Sequence, residues 1–171
     1  TMKIVSVLEN QKVEKRIAIT PDIAKKYISL GLEVILSENY GNHLGIKDEE
    51  YKELGVSILK DEKEIISNAD IIAQLTLLSD DKNSLLRENQ TLIGVLNPYD
   101  NKDKINNIVK KRINLFSLEL LPRITRAQSM DILSSQANLA GYKAVVESFA
   151  NFEQAIPMMM TAAGTIPAAK V

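Results

Sequence analysis

Thr20-Pro21-Asp22-Ile23-Ala24-Lys25-Lys26-Tyr27-Ile28-Ser29-Leu30-Gly31-Leu32-Glu33-Val34-Ile35-Leu36 sets the architecture of this chain. It opens with a hydroxyl cap, a proline at the first helical position and an acid in the first turn, which together start a helix. Ile23, Tyr27, Ile28 and Leu30 are expected to face a core, and Gly31 stops the helix. The run Leu32 to Leu36 is then a strand. Upstream, Lys3-Ile4-Val5-Ser6-Val7-Leu8 is a second apolar, β-branched run and reads as a buried strand. The unit is strand, helix, strand, which points to a parallel sheet with crossover helices.

On either side the same alternation continues. Glu9 to Arg16 is a charged loop, and Asn39 to Gly45 is a loop with two glycines whose His43 reads as a packing residue. Lys47 to Leu54 is a short helix ending at Gly55, and Val56 to Leu59 a short strand. Asp61 caps a helix running to Asn68. Asp70 to Leu77 is a buried strand, Asp80 to Glu88 a polar helix, and Thr91 to Leu96 a buried strand closed by Asn97-Pro98. Asn101 to Lys111 is an amphipathic helix with Ile105, Ile108 and Val109 inward, and Ile113 to Leu118 is the last strand. These lengths predict an α/β fold with a doubly wound, mostly parallel sheet, Rossmann-like or flavodoxin-like, ending in a long helix. Ligands are then expected outside the carboxyl ends of the strands. Arg16, Asn97, Glu119 and Arg123 all fall there.

Composition narrows the chemistry. The chain has 171 residues, 45% hydrophobic and 25% charged, with a formal net charge of -1, which gives no basic surface for nucleic acid. It has no cysteine and a single histidine, so neither a disulfide framework nor a histidine metal site can be built. No apolar run approaches the roughly 20 residues of a membrane helix, and Met2-Lys3 leads straight into a strand instead of a signal peptide, so a cytoplasmic protein is expected. No Gly-x-Gly-x-x-Gly, no Walker loop and no catalytic triad is present in the sequence.

A second stretch carries the polar chemistry: Pro122-Arg123-Ile124-Thr125-Arg126-Ala127-Gln128-Ser129-Met130-Asp131-Ile132-Leu133-Ser134-Ser135-Gln136-Ala137-Asn138-Leu139-Ala140-Gly141-Tyr142. From about Ala127 to Phe152 it is free of proline and reads as one helix. Gln128, Asp131, Ser135, Asn138 and Tyr142 would share one face, and Met130, Leu133, Ala137, Ala140, Gly141 and Ala144 the other. A face of amides and hydroxyls in place of lysines and glutamates suits a polar ligand or a tight interface. A buried helix bonded to neighbouring loops would carry the same groups, and the residues alone leave both readings open.

This stretch, together with Arg16-Ile17-Ala18-Ile19-Thr20-Pro21 and the segment from Ala162 to Val171, resembles the alanine dehydrogenase and proton-translocating nicotinamide nucleotide transhydrogenase family. The likeness is closest to the transhydrogenase alpha subunit. It implies an oxidoreductase subunit that binds NAD(H) and passes hydride to NADP held on a partner subunit. It implies an α/β N-terminal domain over residues 1–125, a long connecting helix over 126–155 and a segment 156–171 leading to an NAD-binding Rossmann domain. Arg123, Ile124, Thr125, Arg126, Gln128, Asp131 and Ser134 match the family residues around the nicotinamide. Among them Gln128 and Asp131 are the expected catalytic pair, with Gln128 at the opening toward the second nucleotide and Asp131 orienting Arg123. The partners implied are the Rossmann domain of the same subunit, the NADP-binding and membrane domains, and a second copy in a homodimer. The location implied is the cytoplasmic face of the inner membrane. The resemblance leaves two alternatives, an amino-acid oxidoreductase of the alanine dehydrogenase type and a non-catalytic docking or dimerisation module. The first would need a lysine and a histidine where Gln74 and Asn97 stand, and an amide cannot accept the proton of amine oxidation. Residues 1–171 without the Rossmann domain are expected to be inactive.

Overall fold

The computed structural model describes residues 1–170 and divides into two compact units, Thr1–Ile124 and Thr125 onward. The first unit runs β1 (Lys3–Ser6), α1 (Pro21–Ser29), β2 (Glu33–Ser37), α2 (Asp48–Glu53), β3 (Ser57–Leu59), α3 (Glu62–Ser67), β4 (Ile71–Ala73), α4 (Asp80–Asn83), β5 (Thr91–Gly94), α5 (Lys102–Val109) and β6 (Asn114–Ser117). Its six strands lie in the order β3-β2-β1-β4-β5-β6, every neighbouring pair parallel. This is the doubly wound order, and it reverses between β1 and β4.

Side-chain alternation along the strands splits the core between the two faces of the sheet. Val5 and Val7 of the β1 run, Ile35, Ile72 and Leu92 pack with Ile65 and Ile66 of α3 and Ile108 of α5. Ile4, Val34, Leu36 and Ile71 point the other way, onto Ala24 of α1 and Tyr51 of α2. The helix starts follow from local chemistry. The Thr20 hydroxyl accepts from the Ile23 amide before Pro21, and the Asp61 carboxylate accepts from the Lys63 amide at 2.9 Å. Gly94 fixes how closely β4 and β5 approach, because a Cβ there would stand 2.1 Å from the Gln74 carbonyl oxygen.

Several elements differ from the sequence reading, each for a physical reason. Leu30 is 76% exposed, since it caps α1 about 120° round the helix from buried Ala24. The strand expected over Asp70 to Leu77 ends at Ala73, because the Leu75 amide is taken by the Glu9 carboxylate at 2.6 Å. The helix expected over Asp80 to Glu88 closes after Asn83. Lys111 Nζ donates to the carbonyls of Asn83 and Ser84, at 2.9 and 3.0 Å, which a longer helix would need for itself. Val109 is 51% exposed because the sheet ends at β6 and has no further strand to cover it.

The second unit begins with a 3₁₀ segment, Thr125–Met130, followed by α6 (Ile132–Asn151) of 20 residues. The single helix expected from Ala127 is therefore interrupted at Asp131, whose backbone is extended. Strand β6 is not the last. Residues after the helix form an antiparallel hairpin of β7 (Met159–Thr161) and β8 (Gly164–Ile166). No described helix is long and apolar enough to cross a membrane.

Candidate functional site

Two groups of polar residues stand out. One gathers in the first unit at the carboxyl ends of β1 and β4, where the strand order reverses. Glu9, the first residue past the apolar β1 run, is only 6% exposed. Its carboxylate accepts from the Gln74 side-chain amide at 3.2 Å, the Leu75 backbone amide at 2.6 Å and the Thr76 hydroxyl at 2.6 Å. Gln74 in turn accepts from Ser6 Oγ and the Val7 amide, both at 2.8 Å, and donates to the Val7 carbonyl at 3.2 Å. Tyr40 extends the chain of bonds. Its hydroxyl donates to Ser6 Oγ at 2.8 Å and accepts from the amides of Ala18 and Ile19 at 3.1 Å. Burial holds the Tyr40 phenol above its usual pKa, so it stays a donor.

A cleft of about 640 Å³ opens beside this network, lined by Glu9, Asn10, Gln74, Thr76, Lys82 and Asn101 among others. Its chemistry is structural. The Gln74 amide, 3% exposed, spends both ends on strand-end stitching and offers nothing resembling a basic amine. Asn97 sits with a positive φ of 45°, its amide nitrogen donating to Asp100 at 2.6 Å and its backbone N–H to Glu119 at 2.5 Å. Arg16 is gripped by Glu14 of its own loop at 2.7 Å, which lowers the Glu14 pKa chiefly through that hydrogen bond. His43 is a loop-packing residue as expected, with Nε2 against the Lys15 carbonyl at 2.7 Å and Nδ1 against Gln11 at 3.2 Å.

The residues singled out from the second stretch straddle the unit boundary. Arg123 and Ile124 close the first unit, both exposed. Thr125, Arg126 and Gln128 lie on the 3₁₀ segment, also exposed, around the buried Ala127. Gln128 is thus not on α6, and the face it was expected to share with Ser135, Asn138 and Tyr142 begins only after Asp131. Asp131 and Ser134 are brought together. Asp131 is the N-cap of α6, its Oδ1 accepting from the amides of Leu133 at 2.9 Å and Ser134 at 3.1 Å, and its Oδ2 accepting the Ser134 hydroxyl proton at 2.6 Å. A hydroxyl that donates in this way can still accept. From Leu133 to Asn151 every residue of α6 is exposed, including Leu139, Tyr142, Val145 and Phe149.

Sequence reasoning missed Glu9, Tyr40 and Thr76. Glu9 was findable, since it stands directly at a strand's carboxyl end; Tyr40 lies in a loop with no periodic signal.

Comparison with known proteins gives one family. The model of the alanine dehydrogenase/PNT N-terminal domain matches residues 6–140. The first part of NAD(P) transhydrogenase subunit alpha from Rickettsia prowazekii (strain Madrid E) is 45% identical over 173 residues, covering 99% of this chain and 45% of that protein. Its namesake from Rhodospirillum rubrum is 40% identical over 175 residues, covering 99% and 46%. The crystal structure of transhydrogenase from Sinorhizobium meliloti superposes with a TM-score of 0.88 at 40% identity, over 97% of this chain and 50% of that one. An L-alanine dehydrogenase shares the fold, with a TM-score of 0.65 at 16% identity over 69% of this chain and 32% of that one. The chain spans about half the length of the transhydrogenase subunits it matches.

Proposed function

The chain belongs to the alanine dehydrogenase/PNT N-terminal domain family, and from that premise we propose that it is the N-terminal domain of the NAD(H)-binding alpha subunit of a proton-translocating NAD(P) transhydrogenase. The observation that carries this reading is likeness to transhydrogenase subunits at 40–45% identity over 99% of the chain, against a fold-level likeness to alanine dehydrogenase. The saturated amide of Gln74 supports it, because amino-acid oxidation needs a group that takes up a proton, whereas hydride passing directly between two nicotinamides needs only positioned rings.

In this reading NAD(H) is held mainly by a Rossmann domain that follows in the same subunit, with residues 126–155 as the connecting helix and 156–171 as the lead-in. NADP(H) sits on the partner subunit. Nothing is transferred through a covalent bond to protein. NAD(H) supplies the hydride, and this chain's residues hold its nicotinamide end. Arg123 binds the carboxamide or a phosphate by charge-assisted bonds. Asp131 orients Arg123, while its own position is fixed by the helix start it caps. The Ser134 oxygen accepts from the carboxamide. Ile124, Thr125 and Arg126 wall the site, and Gln128 reaches toward the second ring. The exposed apolar residues of α6 and the β7–β8 hairpin suit a homodimer contact, and the assembled enzyme would sit at the cytoplasmic face of the inner membrane.

The test is a chimera in which this chain replaces the aligned half of the Rickettsia prowazekii subunit, reconstituted with that enzyme's other subunits. It is expected to transfer hydride from NADH to NADP+, and Arg123→Ala is expected to weaken NADH binding as well as turnover. A folded, assembled chimera without hydride transfer would overturn the reading.

A further inference from the structure

Strands β5 and β6 stop pairing at Gly94 and Ser117, and past that point the Glu119 carboxylate joins their ends. Its Oε1 accepts from the Asn97 backbone amide at 2.5 Å and its Oε2 from the Ser117 hydroxyl at 2.7 Å. The Asn97 end is itself fixed. Its φ is 45°, its side-chain amide donates to Asp100 at 2.6 Å, and its carbonyl accepts from the Asn101 backbone amide at 3.0 Å. From Glu119 to Ile124 the backbone has little freedom. Leu118–Leu120 is a 3₁₀ turn, and the Leu121 amide closes on the Leu118 carbonyl at 3.2 Å. Pro122 then has its φ locked by its ring. The Ile124 amide donates to the Pro122 carbonyl at 2.9 Å, a three-residue turn with Arg123 at its centre. Pro122, Arg123 and Ile124 are all exposed, so burial does not place them.

We propose that Glu119 is a positioning residue for Arg123. The inference rests on the proposed function for the task Arg123 performs, the binding of NAD(H), and adds the group that keeps Arg123 in place for it. An exposed arginine that must meet a nucleotide in one pose gains affinity when its backbone is ordered before binding. Glu119 supplies that order. Both of its oxygens are bonded to the ends of paired strands, and the turns after it carry the fixed position to Arg123. Hydrogen bonds to a carboxylate are of the stronger, charge-assisted kind. A glutamine would serve in its place, because its oxygen accepts from Asn97 and its amide nitrogen donates to the Ser117 oxygen. An alanine does neither and lets the exit of β6 swing. Glu119 touches no reacting atom in this account; it acts through Arg123.

The test has two arms. The first is the NMR order parameter of the Arg123 amide in the 171-residue chain. It is expected near about 0.85 in the unsubstituted chain and in Glu119→Gln, and below about 0.6 in Glu119→Ala. Equal values in the unsubstituted chain and in Glu119→Ala overturn the inference. The second is the NADH dissociation constant of the Rickettsia chimera in a double-mutant cycle. Glu119→Ala is expected to weaken NADH binding about tenfold and Glu119→Gln to stay within about twofold, while Glu119→Ala adds nothing once Arg123→Ala is present. An equal loss in both backgrounds makes Glu119 a general support of the fold and overturns the inference, as does full affinity in Glu119→Ala. Should Glu119→Ala not fold, Ser117→Ala, which leaves the Asn97 bond in place, is expected to show a smaller loss of the same kind, and no loss there overturns the inference. A folded, assembled chimera without hydride transfer defeats the proposed function, and the order parameter then decides this inference by itself.

Discussion

Gly94 and Gly141 show how differently the two units are built. At Gly94, the last residue of β5, an added Cβ would meet the Gln74 backbone carbonyl at 2.1 Å; at Gly141, within α6, it would meet nothing within 4 Å. The first unit has a filled core on both faces of its sheet, whereas in the second only Ala127 is buried among the described residues. The same residue type is therefore a packing requirement in one place and an open position in the other. The first unit has what it needs to hold its own structure. The second carries a helix, α6, whose residues from Leu133 to Asn151 are all exposed.

The greatest loss of stability is expected in the first unit. Gly94→Ala forces apart two paired strands whose backbones cannot yield, and should cost about 3 kcal/mol in urea unfolding. A loss under about 1 kcal/mol would mean the sheet is looser than its geometry implies. Gln74→Leu strips Ser6, Val7 and Glu9 of their shared partner in a buried place, and about 2 kcal/mol is expected by the same measurement. In the second unit, Asp131→Ala removes the cap of α6 and should weaken the helix by about 1 kcal/mol, read as faster exchange of the amides of residues 133–136. Asp131→Asn should recover most of it. Gly141→Ala, finally, is expected to reverse sign with context. In the 171-residue chain it should raise the helicity of α6, worth about 0.5–1 kcal/mol. In the proposed assembled enzyme it is expected to weaken association, the outcome if a neighbouring element packs closely at Gly141. A gain in both settings would show that no partner packs at Gly141.

How much of this was legible follows the same division. The start of α1 could be read because Thr20, Pro21 and Asp22 act within one turn, and the doubly wound sheet followed from alternating runs of the right length. The ends of β4 and α4 could not be read, because they are set by Glu9 and Lys111, residues 66 and 28 positions away in sequence from those they bond. Asp131 was singled out by resemblance but was not read as a cap. The proline-free run from Ala127 concealed the break, though an aspartate directly before Ile132 and Leu133 is itself a start signal. The hairpin was hidden because strands of three residues carry no periodicity. Gln128 was placed on the wrong element for the same reason as the cap, yet its position ahead of α6, exposed on a 3₁₀ segment, leaves it free to reach a ligand outside the chain.

Whether the exposed stretch around Asp131 positions nicotinamides is decided by Gln128→Ala in the reconstituted chimera. The quantities are the NADH dissociation constant and the single-turnover rate of hydride transfer. Misplacing two rings by about 1 Å can cost on the order of a hundredfold in rate, so a fall of about that size is expected, with NADH affinity within about twofold of the unsubstituted protein. A rate within about twofold, less than about 0.4 kcal/mol of barrier, would contradict the positioning role and leave the polar stretch as scaffold alone.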